Sequence, residues 1–142
     1  MKRNIWKILA WVGFLSIVIL IVIRQIDIRH HPKRVASILN IPSLPASVRV
    51  IDCKAAFIPT DVVDTCSIEV ATGDFSKLLI GYNYSELQTK STSHTAVFTK
   101  VGPEFPIATE FIAEPKEFKH GGSVKVFTDK ERKRAVIDLY IE

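Results

Sequence analysis

The chain opens with "MKRNIWKILAWVGFLSIVILIVIRQ", and residues 8–23 hold no charged side chain. As a helix rising 1.5 Å per residue, that run spans roughly 24 Å, a little short of the ~30 Å hydrocarbon core of a bilayer. Ile5 and Trp6 continue it across Lys7, so residues 5–23 suffice for one crossing. Lys7 and Arg24 can snorkel, and Trp6 and Trp11 suit the interfacial layer. The run has no polar face, so burying it as a core helix would need a larger partner domain than a chain of 142 residues offers. Cleavage as a signal peptide calls for a small-x-small site, but "RQIDIRHHPKR" follows, and the first cysteine lies too far downstream for lipidation. The reading is therefore an uncleaved single-pass anchor, or signal anchor.

Charge separates this arm from the rest. The formal net charge is +4, but residues 1–34 hold seven Lys/Arg against Asp27 alone, which leaves the remainder at −2. A mildly acidic domain lacks the electrostatic footprint for phosphates, which argues against a nucleic-acid partner. Basic residues also stand on both sides of the apolar run, Lys2, Arg3 and Lys7 before it and Arg24, Arg29, Lys33 and Arg34 after it. The positive-inside rule is thus nearly balanced.

The two cysteines help to set the orientation. In "SVRVIDCKAAF", Ile51, Cys53, Ala55 and Phe57 fall on one face of a strand; in "TCSIEVA", Cys66, Ile68 and Val70 do, with Thr65, Ser67 and Glu69 opposite. Pro59, Thr60 and Asp61 supply turn chemistry between them. A hairpin about Pro59 and Thr60 sets Cys53 against Cys66 and Ile51 against Ile68, at a Cα separation that a disulfide accepts. The spacing fits neither a zinc knuckle nor a Cys-x-x-Cys dithiol, and two reduced, buried thiols are the remaining alternative. A disulfide belongs to an oxidising compartment. With the Met-Lys-Arg start, it favours a cytoplasmic N-terminus and an extracytoplasmic (periplasmic) domain on an inner-membrane anchor.

Three segments follow: 1–29, the basic start and transmembrane anchor; 30–46, a linker in which "PKRVASILN" can form a short helix before Pro42 and Pro45; and 47–142, the domain. His30 and His31 read as linker residues, since two adjacent histidines fall short of a metal-ligand set. In "TGDFSKLLIGY", Thr72 is an N-cap candidate, Phe75, Leu78, Leu79 and Tyr82 keep helical spacing, and Gly81 is a left-handed stop. "NYSELQTKSTSH" reads as a polar surface loop, with a sequon at Asn83-Tyr84-Ser85 that matters only in a eukaryotic secretory route. "TAVFTKV", "PIATEFIAE" and the hairpin in "SVKVFTDKERKRAVIDLYIE" are strand candidates, with mixed-sign "DKERK" as a solvated tip. The expected fold class is α+β: a transmembrane helix, then a mainly antiparallel sheet of about six strands in the order β-β-α-β-β-β-β. Its sequential strands are joined by hairpins, and one short amphipathic helix lies on one face.

Chemistry-bearing motifs are sparse. G-x-S-x-G, a phosphate-binding glycine loop, H-E-x-x-H and Cys-x-x-Cys are all missing from the sequence. No catalytic, cofactor-binding or metal-ligating residue is assigned, and no small-molecule substrate is inferred. The leading expectation is a non-enzymatic protein-binding module of inhibitor or immunity type, held at the membrane. Its candidate surface is Asn83, Tyr84, Glu86, His94, Lys119, His120, Gly121 and Gly122, in the loops 83–94 and 117–122, because binding residues concentrate on loops held by a scaffold. The alternative is a structural accessory subunit of an envelope complex, with Ala10, Gly13 and Ser16 as a packing face on the anchor. A small hydrolase using His94 and His120 is the third reading.

Overall fold

The hairpin that holds the cysteines folds as its turn residues dictate. Strand β1 (Arg49–Phe57) pairs antiparallel with β2 (Val62–Glu69), and Cys53 stands opposite Cys66 with their Cα atoms 4.1 Å apart, joined in a disulfide. The register shifts between Val50 and Asp52, so Val50 rather than Ile51 faces Ile68. A bulge at Ile51 takes up the extra residue. The structure is a computed structural model and describes residues 2–89 and 99–142.

The chain is α+β. Helix α1 (Lys2–Ile38) precedes β1, and after β2 come a 3-10 helix (Thr72–Leu79), β3 (Ser85–Gln88), β4 (Thr109–Ala113), β5 (Gly122–Thr128) and β6 (Arg134–Ile141). The six strands form one open antiparallel sheet in the order β1-β2-β6-β5-β4-β3. Not every sequential pair is a hairpin. β2 hydrogen-bonds to β6, and the chain reaches β3, on the far edge, through the 3-10 helix. The remaining neighbours follow directly in sequence and pair antiparallel, so the antiparallel character stands, while β6 rather than β3 lies beside β2.

Two compact units divide the chain, Met1–His30 and His31–Glu142. In the first, the large apolar side chains of residues 11–23 are at least 38% exposed, Trp11 reaching 72%. The stretch Trp11–Ile38 is long and apolar enough to cross a membrane. So much bare apolar surface is compatible with an anchor or a signal segment, since water tolerates only small apolar patches.

In the second unit, the last turns of α1 belong to the core. Val35, Ala36, Ile38 and Leu39 are buried with Cys53, Cys66, Ile68, Phe75, Leu78, Val124, Val126 and Ile137. The segment 30–46 read as a linker thus supplies core residues. The helix ends in a Schellman arrangement: Asn40 is left-handed (φ 53°), its amide donates to the Ser37 carbonyl at 3.1 Å, and the Ile41 amide donates to the Ala36 carbonyl at 3.0 Å. Gly81 does not end a helix in the left-handed region. It is glycine because a Cβ there would run into the Leu39 and Asn40 carbonyl oxygens.

The 3-10 geometry suits its sequence. Side chains three apart eclipse, which stacks Phe75 above Leu78 against the sheet, the two buried residues of that element. Thr72 does not cap it; its hydroxyl donates to the Glu131 carbonyl at 2.9 Å, tying the helix to the β5–β6 turn. "SELQ", read as loop, is the edge strand β3. All four of its residues are exposed, so no buried face wrote an alternation into the sequence. The expected strand "TAVFTKV" falls mostly on 95–98, outside the described residues. Its end, Val101, is buried without being in a strand.

Candidate binding surface

The loop candidates meet at one end of the sheet through aromatic side chains. The Tyr82 ring lies 6.1 Å from that of Tyr84 and 6.5 Å from that of Phe118, both edge-on. This geometry favours the contact, since the positive edge of one ring meets the negative face of another. It brings Asn83 and Tyr84 into the neighbourhood of the segment that carries Lys119, His120, Gly121 and Gly122. Gly122 has φ 145°, and a Cβ on it would collide with the Tyr140 carbonyl, so this turn requires glycine.

Within this group the residues play different parts. Asn83, Lys119, His120 and Gly121 are exposed. Tyr84 is half-buried, and its hydroxyl is enclosed with no partner among the described residues. Burial, with Tyr82 beside it, pushes the Tyr84 phenol far above its usual range, so it stays protonated as a donor. Glu86 is drawn the other way, to Arg132 at 3.0 Å, whose guanidinium lies over the Phe75 and Phe111 rings at 5.8 and 5.4 Å. His94 lies outside the described residues, so no geometry links it to His120.

Two features escaped the sequence reading. The first is an open groove of about 1290 Å³ at the opposite end of the sheet, whose walls include Arg49, Glu69, Ile107, Lys133 and Arg134. Its charges are largely self-paired: Arg49 with Glu69 at 2.5 Å, Arg134 with Asp129 at 3.0 Å and Lys133 with Glu131 at 2.6 Å. Asp129 organises the "DKERK" turn. Burial raises its carboxyl, but the Lys133 amide and the Arg134 side chain and amide together outweigh this and hold it below the usual range.

The second is a wedge of about 300 Å³ between the end of α1 and the sheet, lined by Arg34, Ser37, Asp64, Tyr82, Phe118 and Leu139 among others. Arg34 Nε donates to Asp64 Oδ2 at 2.6 Å, while Asp64 Oδ1 is buried with no partner among the described residues. No sequence signal couples residues 30 apart, and Arg34 reads in the sequence as one more basic residue flanking the anchor. Among the described residues, no group of three or more His, Cys, Asp or Glu side chains is placed to hold a metal ion.

Compared with known proteins, the chain matches no family model, no curated protein and no solved structure.

Proposed function

We propose that this chain is a single-pass, membrane-anchored envelope protein whose domain lies outside the cytoplasm and captures a protein partner without catalysing a reaction. The observation that carries the reading is the Tyr82–Phe118 ring contact. It ties the start of segment 83–94 to segment 117–122 at one end of a disulfide-bonded sheet, giving loop residues the rigid support that recognition needs. The exposed apolar residues 11–23 support the anchor, and the Cys53–Cys66 bond supports an oxidising compartment.

The test uses full-length protein in its membrane. An external protease acting on intact cells, with any outer layer permeabilised, should remove the domain; protection while the membrane stays sealed would reverse the orientation. Shortening the 83–94 segment outside β3 should abolish co-purification of the partner in mild detergent, and His94→Ala or His120→Ala should have a modest effect. If either histidine replacement instead removed a measurable turnover by orders of magnitude with folding intact, the hydrolase reading would take its place.

A second reading, an accessory subunit of an envelope complex, draws on the exposed apolar residues 11–23: beyond the helix's own backbone, no described residue lies within 4 Å of a Cβ built on Gly13. It expects Gly13→Leu, rather than the loop change, to break the complex.

A further inference from the structure

The wedge between α1 and the sheet combines apolar walls with an incompletely used ion pair. Register places Asp64 of β2 directly opposite Leu139 of β6, and the same face continues to Ile141. Above them stand Ser37 and Ile38 of α1, with Tyr82 and Phe118 at the aromatic junction. Arg34 spends only its Nε on Asp64. Its two terminal nitrogens have no acceptor among the described residues, and its side chain is 28% exposed. A guanidinium carries five N–H donors in a planar fork, so four of them remain to be satisfied at this mouth.

Charge decides what fits. An anionic amphiphile would suit a bare arginine, but here Asp64 neutralises it at 2.6 Å, and a second carboxylate or a phosphate would sit beside a carboxylate already in place. A neutral acceptor meets no such repulsion. A peptide carbonyl is that acceptor, and the side chain beside it can fill the apolar pocket. The cavity, about 300 Å³, is of a size to seat one large apolar side chain with room around it.

We propose that this wedge seats a leucine-like side chain from an extended segment of a partner protein, with Arg34 donating to the carbonyl of the same residue. The inference rests on the protein-capture reading and names the chemistry of the captured segment. It also gives the aromatic junction a use, because Tyr82 and Phe118 wall the same pocket that they close at the loop end.

The experiment reads the pocket directly. Full-length protein in nanodiscs carries ¹³C-labelled isoleucine and leucine methyl groups, so Ile38, Leu139 and Ile141 report from the walls. N-acetyl-leucine methylamide is titrated at millimolar concentration against two matched probes: N-acetylglycine methylamide, which lacks the side chain, and 4-methylpentanoate, which keeps the isobutyl tail but carries a carboxylate. The leucine amide should shift these methyls and bind tightest of the three. Ser37→Trp, which fills the mouth from an exposed helix position, should abolish the shifts. Arg34→Lys keeps a cation beside Asp64 but loses the fork, and should weaken the amide roughly tenfold, the worth of one hydrogen bond to a charged donor. Tighter binding of the carboxylate would overturn the proposal in favour of an anionic ligand. So would equal shifts in Ser37→Trp, or no shift with any amide. Partner capture that survives Ser37→Trp but fails on shortening the 83–94 segment outside β3 would overturn this inference alone and leave the capture reading standing.

Discussion

The two faces of the sheet are built from the same strands but closed by different material. On one face, Cys53, Cys66, Ile68, Val124, Val126, Ala135 and Ile137 lie under the end of α1 and the 3-10 helix. On the other, the cover is the irregular segment 101–107, and the apolar cluster is small: Val101, Phe105, Ile107, Phe127 and Val136. Three polar residues of that second face are nonetheless buried. Thr65, Ser67 and Asp138 are 0, 2 and 3% exposed, and the Thr65 hydroxyl donates to Asp138 Oδ1 at 2.7 Å. Lys125, opposite Asp138 on β5, lies 3.7 Å from Glu110. Polar residues in strand alternation therefore do not guarantee a wet face. They line a buried face when a loop covers them and they satisfy one another.

The difference is sharpest in equivalent aromatic truncations. Phe111 and Phe127 lie on neighbouring strands and point to opposite faces, with 4% and 2% exposure. Phe111→Ala should cost about 3–5 kcal/mol, the usual range for a buried phenylalanine, because regular elements around Phe75 cannot collapse into the gap. Phe127→Ala should fall below that, since Val101, Phe105 and Ile107 belong to a loop that can move inwards. Denaturant midpoints at constant slope measure both; equal losses would break the contrast between the faces.

The disulfide lies on the regular face. Reducing it, or replacing both cysteines with alanine, should cost roughly 2–3 kcal/mol, as expected for a closed loop of about 14 residues. Mass spectrometry of unreduced protein should find Cys53 joined to Cys66. Quantitative alkylation of both thiols without reductant would contradict the pairing and remove the argument for an oxidising compartment.

The polar face has a pH signature. Burial raises the Asp138 carboxyl more than the Thr65 hydrogen bond and Lys125 lower it, so its value in the fold lies above the unfolded 3.8. Any stability it contributes is therefore complete below about pH 3.8 and is lost as pH rises through the folded value. Asp138→Asn keeps an acceptor for Thr65 and removes the buried charge. Its thermal midpoint should exceed that of the wild type at pH 7, with the gain vanishing towards pH 3.8. Asp129 has the opposite sign: its stabilisation is present above pH 3.8 and is lost on acidification. An Asp138→Asn variant destabilised at neutral pH would show that Lys125 outweighs burial.

The smallest effect belongs outside both faces. Arg49 and Glu69 form an ion pair with side chains 69% and 42% exposed. Arg49→Ala should change stability by about 0–1 kcal/mol, and less at high salt. A larger loss would mean that the groove at this end holds the sheet together rather than lying open.

Local pattern made part of this molecule readable. Residues 8–23 declare an apolar helix because nothing polar interrupts them, and the turn at Pro59-Thr60 with two-residue alternation places Cys53 opposite Cys66. The β5–β6 hairpin was equally plain, since Val124 and Val126 face Leu139 and Ile137 across a charged turn. Of the candidate surface, the exposure of Asn83, Lys119 and His120 and the glycine turn at 121–122 follow from composition alone. The fate of Tyr84 and Glu86 does not, because the ring of Tyr82 and the guanidinium of Arg132 reach them from residues that no spacing rule connects.

What the sequence determined by itself is therefore whatever neighbours in the chain can decide: an apolar helix, a cysteine hairpin, strand period and turn chemistry. Tertiary structure alone decided that β2 pairs with β6 rather than with the next strand, that the last turns of α1 enter the core, and that "SELQ" is an edge strand. It also joined Arg34 to Asp64 beside an open wedge, and buried Thr65 with Asp138. The physical reason is that each of these depends on which surface is left to cover another. That is a property of the whole packed chain, and alternation records the face of a residue without recording what lies on it.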